Sequence, residues 1–249
     1  MFLSFKLATL DNDLSLKSFI TDTITKADQM IPYDNVGEGQ TPLYLYFKQV
    51  EQNKTGKLVT VFYDIFVPIR VIEETTHKLI TTGTRYSYGP INIQVFEVEP
   101  LQDFIAILAG NQVSIKVIEF LSRIVQKRFG DYKTPFHKVQ FSIQAHQNDI
   151  RNIPDFTDVS EVVVEDIGDE YIGWAWIKGA AVDQSMEYKK FVESSGSGKI
   201  TALGFRYNGK TYYIYNDGRI FTKEAEASLP SEIAGVHNIS KKLRSIGIF

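Results

Sequence analysis

The chain of 249 residues carries 27 basic and 30 acidic side chains, with 43% apolar and 23% charged residues, a balance that suits one large globular domain or two small ones with a sizeable core. It contains no cysteine, which excludes disulfides, thiolate zinc sites, iron–sulfur clusters and a cysteine nucleophile. The opening apolar stretch is broken by Lys6 and lacks both a basic leader and a small-residue cleavage site, and no apolar run approaches the roughly 20 residues of a spanning helix, so the expectation is a cytoplasmic protein with no membrane partner.

In chain order, FLSFKLA reads as a strand. DNDLSLKSFITDTITKADQM reads as a helix, with Leu16, Phe19, Ile20, Thr23 and Ala27 at helical spacing behind an Asp/Asn/Ser start. LYLYFKQV, KLVTVFYDIFV, the stretch around THKLITTGTRYSY, and INIQVFEVE follow as four antiparallel strands, punctuated by NKTG, a proline region and YGP. Residues 103–129 return to helical spacing, with Val117, Leu121, Ile124 and Val125 on one side, a break near Gly110 and Asn111, and a stop at Gly130. The implied β-α-β-β-β-β-α order shares its plan with saddle-shaped and helix-gripping α+β domains and points to no family. VTVFYDIFV is apolar on both faces: Val59, Val61, Tyr63, Ile65 and Val67 on one, Leu58, Phe62 and Phe66 on the other. Either it is a central strand covered on both sides, or its second face meets another subunit or partner. Asp64, between Phe62 and Phe66, is expected to make a strand-end hydrogen bond.

His137, Val139, Phe141 and Ile143 form one face of a further strand, and the polar, proline-bearing stretch after it suggests a subdomain boundary. The fold class is therefore α+β, antiparallel sheets with flanking helices in two subdomains, 1–133 and 134–249. In the second, EVVVED and YIGWAWIKG are strands, and DQSMEYKKFVESS is a short helix begun by Asp183 or Ser185, followed by a glycine-serine link. SLPSEIAGV is ambiguous between helix and loop, and NISKKLRSIGIF is a short C-terminal helix with a basic side.

Between the glycine-serine link and SLPSEIAGV lies GFRYNGKTYYIYNDGRIFTK, which fixes its own register. Asn208-Gly209 suits a type I′ turn and Asn216-Asp217-Gly218 a three-residue loop, so Tyr207 should face Lys210, Phe205 Tyr212, Tyr215 Arg219, and Tyr213 Phe221. One face then collects Leu203, Phe205, Tyr207, Tyr212, Ile214 and Ile220 as core. The other collects Arg206, Thr211, Tyr213, Tyr215, Arg219, Phe221 and Lys223 over Ala202 and Gly204. Interleaved rings and cations are the composition of a platform for stacked bases, each worth about 1–3 kcal/mol. Covering such a ring with a helix yields a similar about 1.5–3 kcal/mol, with the cations reaching out past the rim. Residues 199–249 hold eight basic and four acidic side chains and residues 159–198 three basic and eight acidic, a polarity able to steer a partner. The leading expectation is a non-enzymatic binding module that holds nucleic acid or a protein partner on Arg206, Tyr213, Tyr215, Arg219, Phe221 and Lys223 and on its basic C-terminal surface.

Two alternatives stand beside it. Asp155 after a proline, with Glu187 and Lys189 downstream, supplies the residue types of a metal-dependent nuclease or other hydrolase, although MEYKKF has helical spacing where that chemistry needs one strand face. Excess apolar strand faces would equally suit an obligate homo-oligomer. GSGK lacks the leading glycine and the closing hydroxyl of a phosphate loop and precedes a strand, so it is set aside. In the acidic run Glu161, Glu165, Asp166, Asp169 and Glu170, alternation places Glu161 and Glu165 on one strand face and leaves the others in a turn, so the run reads as a solvated loop. His77, His137, His146 and His237 form no ligand pattern. No cofactor or metal is expected.

Overall fold

The N-terminal strand β1 (Leu3–Leu10) joins two runs of strands into one sheet. In this computed structural model, which describes residues 3–10, 20–34, 42–77, 79–97, 104–130, 136–167, 172–194, 198–223 and 229–249, β1 pairs antiparallel with β6 (Phe104–Leu108) on one side and β12 (Arg219–Thr222) on the other. Outward from β6 lie β5 (Leu79–Phe96), β4 (Gly56–Ile72), β3 (Leu43–Asn53) and β2 (Gln29–Asp34). Outward from β12 lie β11 (Lys210–Tyr215), β10 (Lys199–Tyr207), β8 (Thr157–Glu165) and β9 (Trp174–Lys178). A short β7 (Phe136–Lys138) pairs with the end of β1. The fold is thus mainly antiparallel sheet with a few helices.

The central strands are apolar on both faces because each face carries its own core. Along β6, Phe104 and Ala106 belong to one cluster and Ile105 and Ile107 to the other; along β1, Phe5 and Leu7 oppose Ala8. The long helix α1 (Asn111–Phe129) lays Val117, Leu121, Ile124 and Val125 against Leu45, Phe47, Val59, Val61 and Ile93 on one side of the sheet. The C-terminal helix α4 (Leu229–Ser245) lays Ile233, Val236, Ile239 and Leu243 against Phe205, Tyr212, Ile214 and Ile220 on the opposite side. Each such buried side chain contributes roughly 1.5–3 kcal/mol. Each half of the sheet therefore has one face under a core helix, and the two halves use opposite faces. Smaller helical pieces, α2 (Gln147–Arg151) and the single turn α3 (Met186–Tyr188), flank the second core.

One sheet runs through both sequence halves, because β1 hydrogen-bonds to β12. The strand order differs from the expected one. Residues 11–19 of the expected first helix lie outside the described residues; Ile20–Ile24 is one π-helical turn and Gln29–Asp34 is a strand. Pro32 is tolerated there because β2 ends the sheet. The helix expected from residue 103 starts at Asn111, and Phe104–Leu108 is strand. The two strands expected on either side of YGP are one strand, β5, continuous through a cis Gly89–Pro90 bond. His137 is exposed, while Val139, Phe141 and Ile143 are buried beyond the end of β7. Ser185 caps the α3 turn, its hydroxyl accepting from the Tyr188 N–H at 3.1 Å. The ambiguous SLPSEIAGV joins the C-terminal segment as one helix from Leu229 onward.

Beyond residue 63, where β3 ends its pairing, β4 and β5 continue, among the described residues, as a two-stranded arm from Asp64↔Ser87 to Ile72↔Leu79, about 30 Å long at the usual rise per residue. Asp64 sits at its root rather than at a strand end. Its carboxylate accepts from the Tyr44 N–H (3.2 Å) and the Tyr46 hydroxyl (3.4 Å) and lies 3.8 Å from Arg85. No described helix is long and apolar enough to cross a membrane.

Candidate binding face of the sheet

The meander pairs in the register that its turns dictate: Tyr207↔Lys210, Phe205↔Tyr212, Tyr213↔Phe221 and Tyr215↔Arg219. Asn208, Gly209 and Gly218 all take positive φ, as the two turns require. Leu203, Phe205, Tyr207, Tyr212, Ile214 and Ile220 enter the α4 core. The opposite face belongs to neither core cluster.

Pairing outward extends this second face. Glu161 stands opposite Gly204 and Lys178, Val163 opposite Ala202 and Trp176, and Glu165 opposite Lys199 and Trp174. On the other flank, Phe221 faces Ser4 and Arg219 faces Lys6. The face thus runs from Trp174 and Trp176 on β9 across the meander to Lys6 on β1.

Its centre is Tyr213, only 3% exposed. The ring lies over Gly204, where a Cβ would come within 2.9 Å of Cε1. The hydroxyl donates to Glu161 Oε1 at 2.7 Å and accepts from Lys223 Nζ at 3.2 Å. Trp176 meets the ring edge-on at 6.4 Å between centroids, and Phe221 packs at 5.9 Å. Two ammonium groups address Trp176, Lys178 at 3.9 Å and Lys223 at 4.6 Å from its ring centre, each contact worth about 0.5–1 kcal/mol at an exposed site.

Most of the cations are already partnered. Lys178 lies 3.2 Å from Glu161. Arg219 donates from Nε to both carboxylate oxygens of Asp217 (2.9 and 2.8 Å) while its guanidinium covers the Tyr215 ring at 4.4 Å. Arg206 donates to the Gly209 carbonyl at 3.2 Å and lies 3.9 Å from Asp158. Lys6, 2% exposed, donates to the Asp217 carbonyl; burial pulls its pKa down, against the pull of the Asp217 carboxylate. Burial pushes the Tyr215 phenol up, so that phenol stays neutral near pH 7.

The sequence-predicted residues therefore come together, with Tyr213 as floor, Tyr215, Arg219, Phe221 and Lys223 half-buried, and Arg206 exposed at one end. The rings that reach solvent most are Trp174 (62%) and Trp176 (42%). Sequence reasoning placed both in a strand without joining them to the site; WAW alternation with the inward Ala175 and Ile177 was the available signal. The basic C-terminal surface is on the other side of the sheet, since α4 covers the opposite face. There Asp155, Tyr207, Asn238, Lys241, Lys242 and Ser245 line a cleft of about 390 Å³.

Asp155 is ion-paired with Lys242 in that cleft, whereas Glu187 lies on the α3 turn and Lys189 opens the π-helical turn after it, both exposed. Among the described residues no three His, Asp or Glu side chains gather into a group able to hold a metal ion. Within GSGK, residues 196 and 197 lie outside the described residues, as do Asp169 and Glu170 of the acidic run. Comparison with protein-family models and with curated proteins gives no match to this sequence.

Proposed function

We propose that the chain is a binding protein that holds single-stranded nucleic acid against the Trp174–Trp176–Tyr213–Lys223 face. The observation that carries this reading is the exposure of two tryptophans side by side on one strand face, beside lysines that already engage ring faces. Positions i and i+2 on a strand are about 7 Å apart, a step that suits successive bases splayed onto successive rings. Every base has a π-face, so such a platform is tolerant of sequence.

Charge sets the character of the binding. Six cations on the face, Lys6, Lys178, Lys199, Arg206, Arg219 and Lys223, stand with five carboxylates, Asp158, Glu161, Glu165, Asp166 and Asp217. Phosphates must compete with carboxylates for most of these cations. Lys223, which bonds the Tyr213 hydroxyl and forms no ion pair among the described residues, is best placed to receive one. Stacking then supplies most of the affinity, and the salt dependence is shallow, corresponding to about one or two released counterions.

The only two tryptophans of the chain are both on this face, so selectively excited tryptophan fluorescence reports on it. Titration with an oligothymidylate should quench the emission, and Trp176→Ala should weaken binding by about 1–3 kcal/mol. Unchanged emission at low salt with excess oligonucleotide would remove the proposal. The near balance of charge favours a second reading, a protein partner on the same face. It predicts that an oligonucleotide leaves the emission unaltered while Trp174→Ala and Trp176→Ala each abolish capture of one particular protein.

A further inference from the structure

The β4–β5 arm carries an apolar strip that the binding face does not use. Register and alternation place Ile65, Val67, Ile69, Val71, Thr82, Thr84, Tyr86 and Tyr88 on one side of it. Of these, Val67, Ile69, Val71, Tyr86 and Tyr88 are between 37% and 53% exposed. A two-stranded ribbon without a third strand or a helix on it is marginally stable in water at best. Evolving such a ribbon with β-branched and aromatic side chains in solvent makes physical sense where another surface covers it.

We infer that this strip is a homodimer interface in which the arms of two copies pack face to face around a two-fold axis. Three observations select a second copy as the occupant. First, the strip holds no carboxylate, ammonium or guanidinium group; Arg70 and Arg85 fall on the other side of the ribbon. An uncharged strip repels no like copy and offers a foreign partner no ionic handle, whereas two-fold pairing needs only self-complementarity. Second, an axis across the ribbon near Val67 lays β4 over its symmetry mate, so that Ile65 meets Ile69 of the other copy, Thr84 meets its own counterpart and Tyr86 meets Thr82. Third, the area suffices. Fully covered, the exposed parts of Val67, Ile69, Val71, Tyr86 and Tyr88 offer on the order of 500 Å² per copy and about 1,000 Å² across the pair, the level that a specific interface requires.

The arm is also built to hold its shape. Its root is tied down by Asp64, Tyr44, Tyr46 and Arg85, with Arg85 donating to the Pro42 carbonyl at 2.6 Å. Midway along, the Phe66 ring covers Gly83, where a Cβ would fall 2.4 Å from Cζ. Tyr88 contacts the buried Tyr63 at 5.2 Å, so the strip continues from the α1 core. A pre-ordered strip loses little conformational freedom on association.

Light scattering on the full chain tests this. At roughly 10 μM the protein should be a dimer, and Ile69→Glu, at a solvent-facing position, should raise the dimer dissociation constant by about 100-fold or more, because a carboxylate would be buried in the interface against Ile65 of the other copy. A second variant in which residues 67–84 are replaced by Asn-Gly, a type I′ turn between paired positions, should be monomeric with the same thermal unfolding of the body. A wild-type monomer at that concentration overturns the inference, whether the strip then binds vesicles or another protein. A dimer that survives both changes overturns it as well.

Discussion

At Gly204 the Trp174–Lys6 face depends on an absent side chain. Tyr213 has room to lie flat because nothing rises from the strand beneath it; a Cβ at that position would also come within 3.0 Å of Glu161 Cβ. Tyr213 is held in place, its hydroxyl by Glu161 and Lys223 and its ring by Trp176 and Phe221. In an open strand, replacing glycine gains up to about 1 kcal/mol of β-propensity. Here overpacking costs about 1–3 kcal/mol and dominates. Gly204→Ala should therefore lower stability to denaturant by about 1 kcal/mol and shift the tryptophan emission, since the displaced ring abuts Trp176. Unchanged emission and raised stability would show that Tyr213 is not fixed as described. This residue's role was legible in outline, because alternation set Gly204 beside Tyr213, but the distance that makes it obligatory depends on the side-chain packing of a third strand, β8.

Among the elements, α4 docks on the meander through a close approach and a buried charge. Glu232, 0% exposed, accepts from Lys210 Nζ at 2.5 Å and from the Tyr212 hydroxyl at 3.0 Å. One turn on, a Cβ at Gly235 would lie 2.5 Å from the Tyr212 hydroxyl oxygen and 3.3 Å from Cζ. Gly235→Ala alone should destabilise the protein, because the collision outweighs the helix-propensity gain of about 1 kcal/mol. In a Tyr212→Phe background the colliding oxygen is gone, and the same substitution should become neutral or stabilising. Thermal unfolding of the four proteins measures the coupling, and a Gly235→Ala effect of equal size in both backgrounds would refute the contact. The same helix shows why element type was only partly readable: Pro230 and Gly235 look like breakers in sequence, yet Pro230 falls in the first turn, where a missing N–H costs nothing, and Gly235 is demanded by Tyr212. Strand β6 was misread as helix for a related reason. FIAIL is buried on both faces and so lacks the period of two by which a strand announces itself.

Across the whole molecule, the decisive pairing is also the least local. The meander's register came from two turns a few residues long, whereas β1 meets β12 across more than two hundred residues, and no periodicity encodes which edge a strand will choose. That pairing also explains why the apparent boundary near residue 133 is not a break in the sheet. Removing residues 1–133 would expose the edge of β12 and strip Phe5, Leu7, Phe96, Phe104 and Ala106 from the α4 core. Those side chains together account for on the order of 10 kcal/mol of apolar burial, which is comparable to the whole stability of an ordinary domain. Lys6 would go with them, releasing Asp217 from one of its two cationic neighbours. A fragment of residues 134–249 should therefore lack cooperative thermal unfolding and dispersed amide resonances, and co-expression with residues 1–133 should restore both. If the fragment alone unfolds cooperatively with its meander amides protected from exchange, β1 is an accessory strand and the two halves are independent domains sharing an edge. The opposite result makes β1 the keystone that joins the Trp174–Lys6 face and the root of the β4–β5 arm into one sheet.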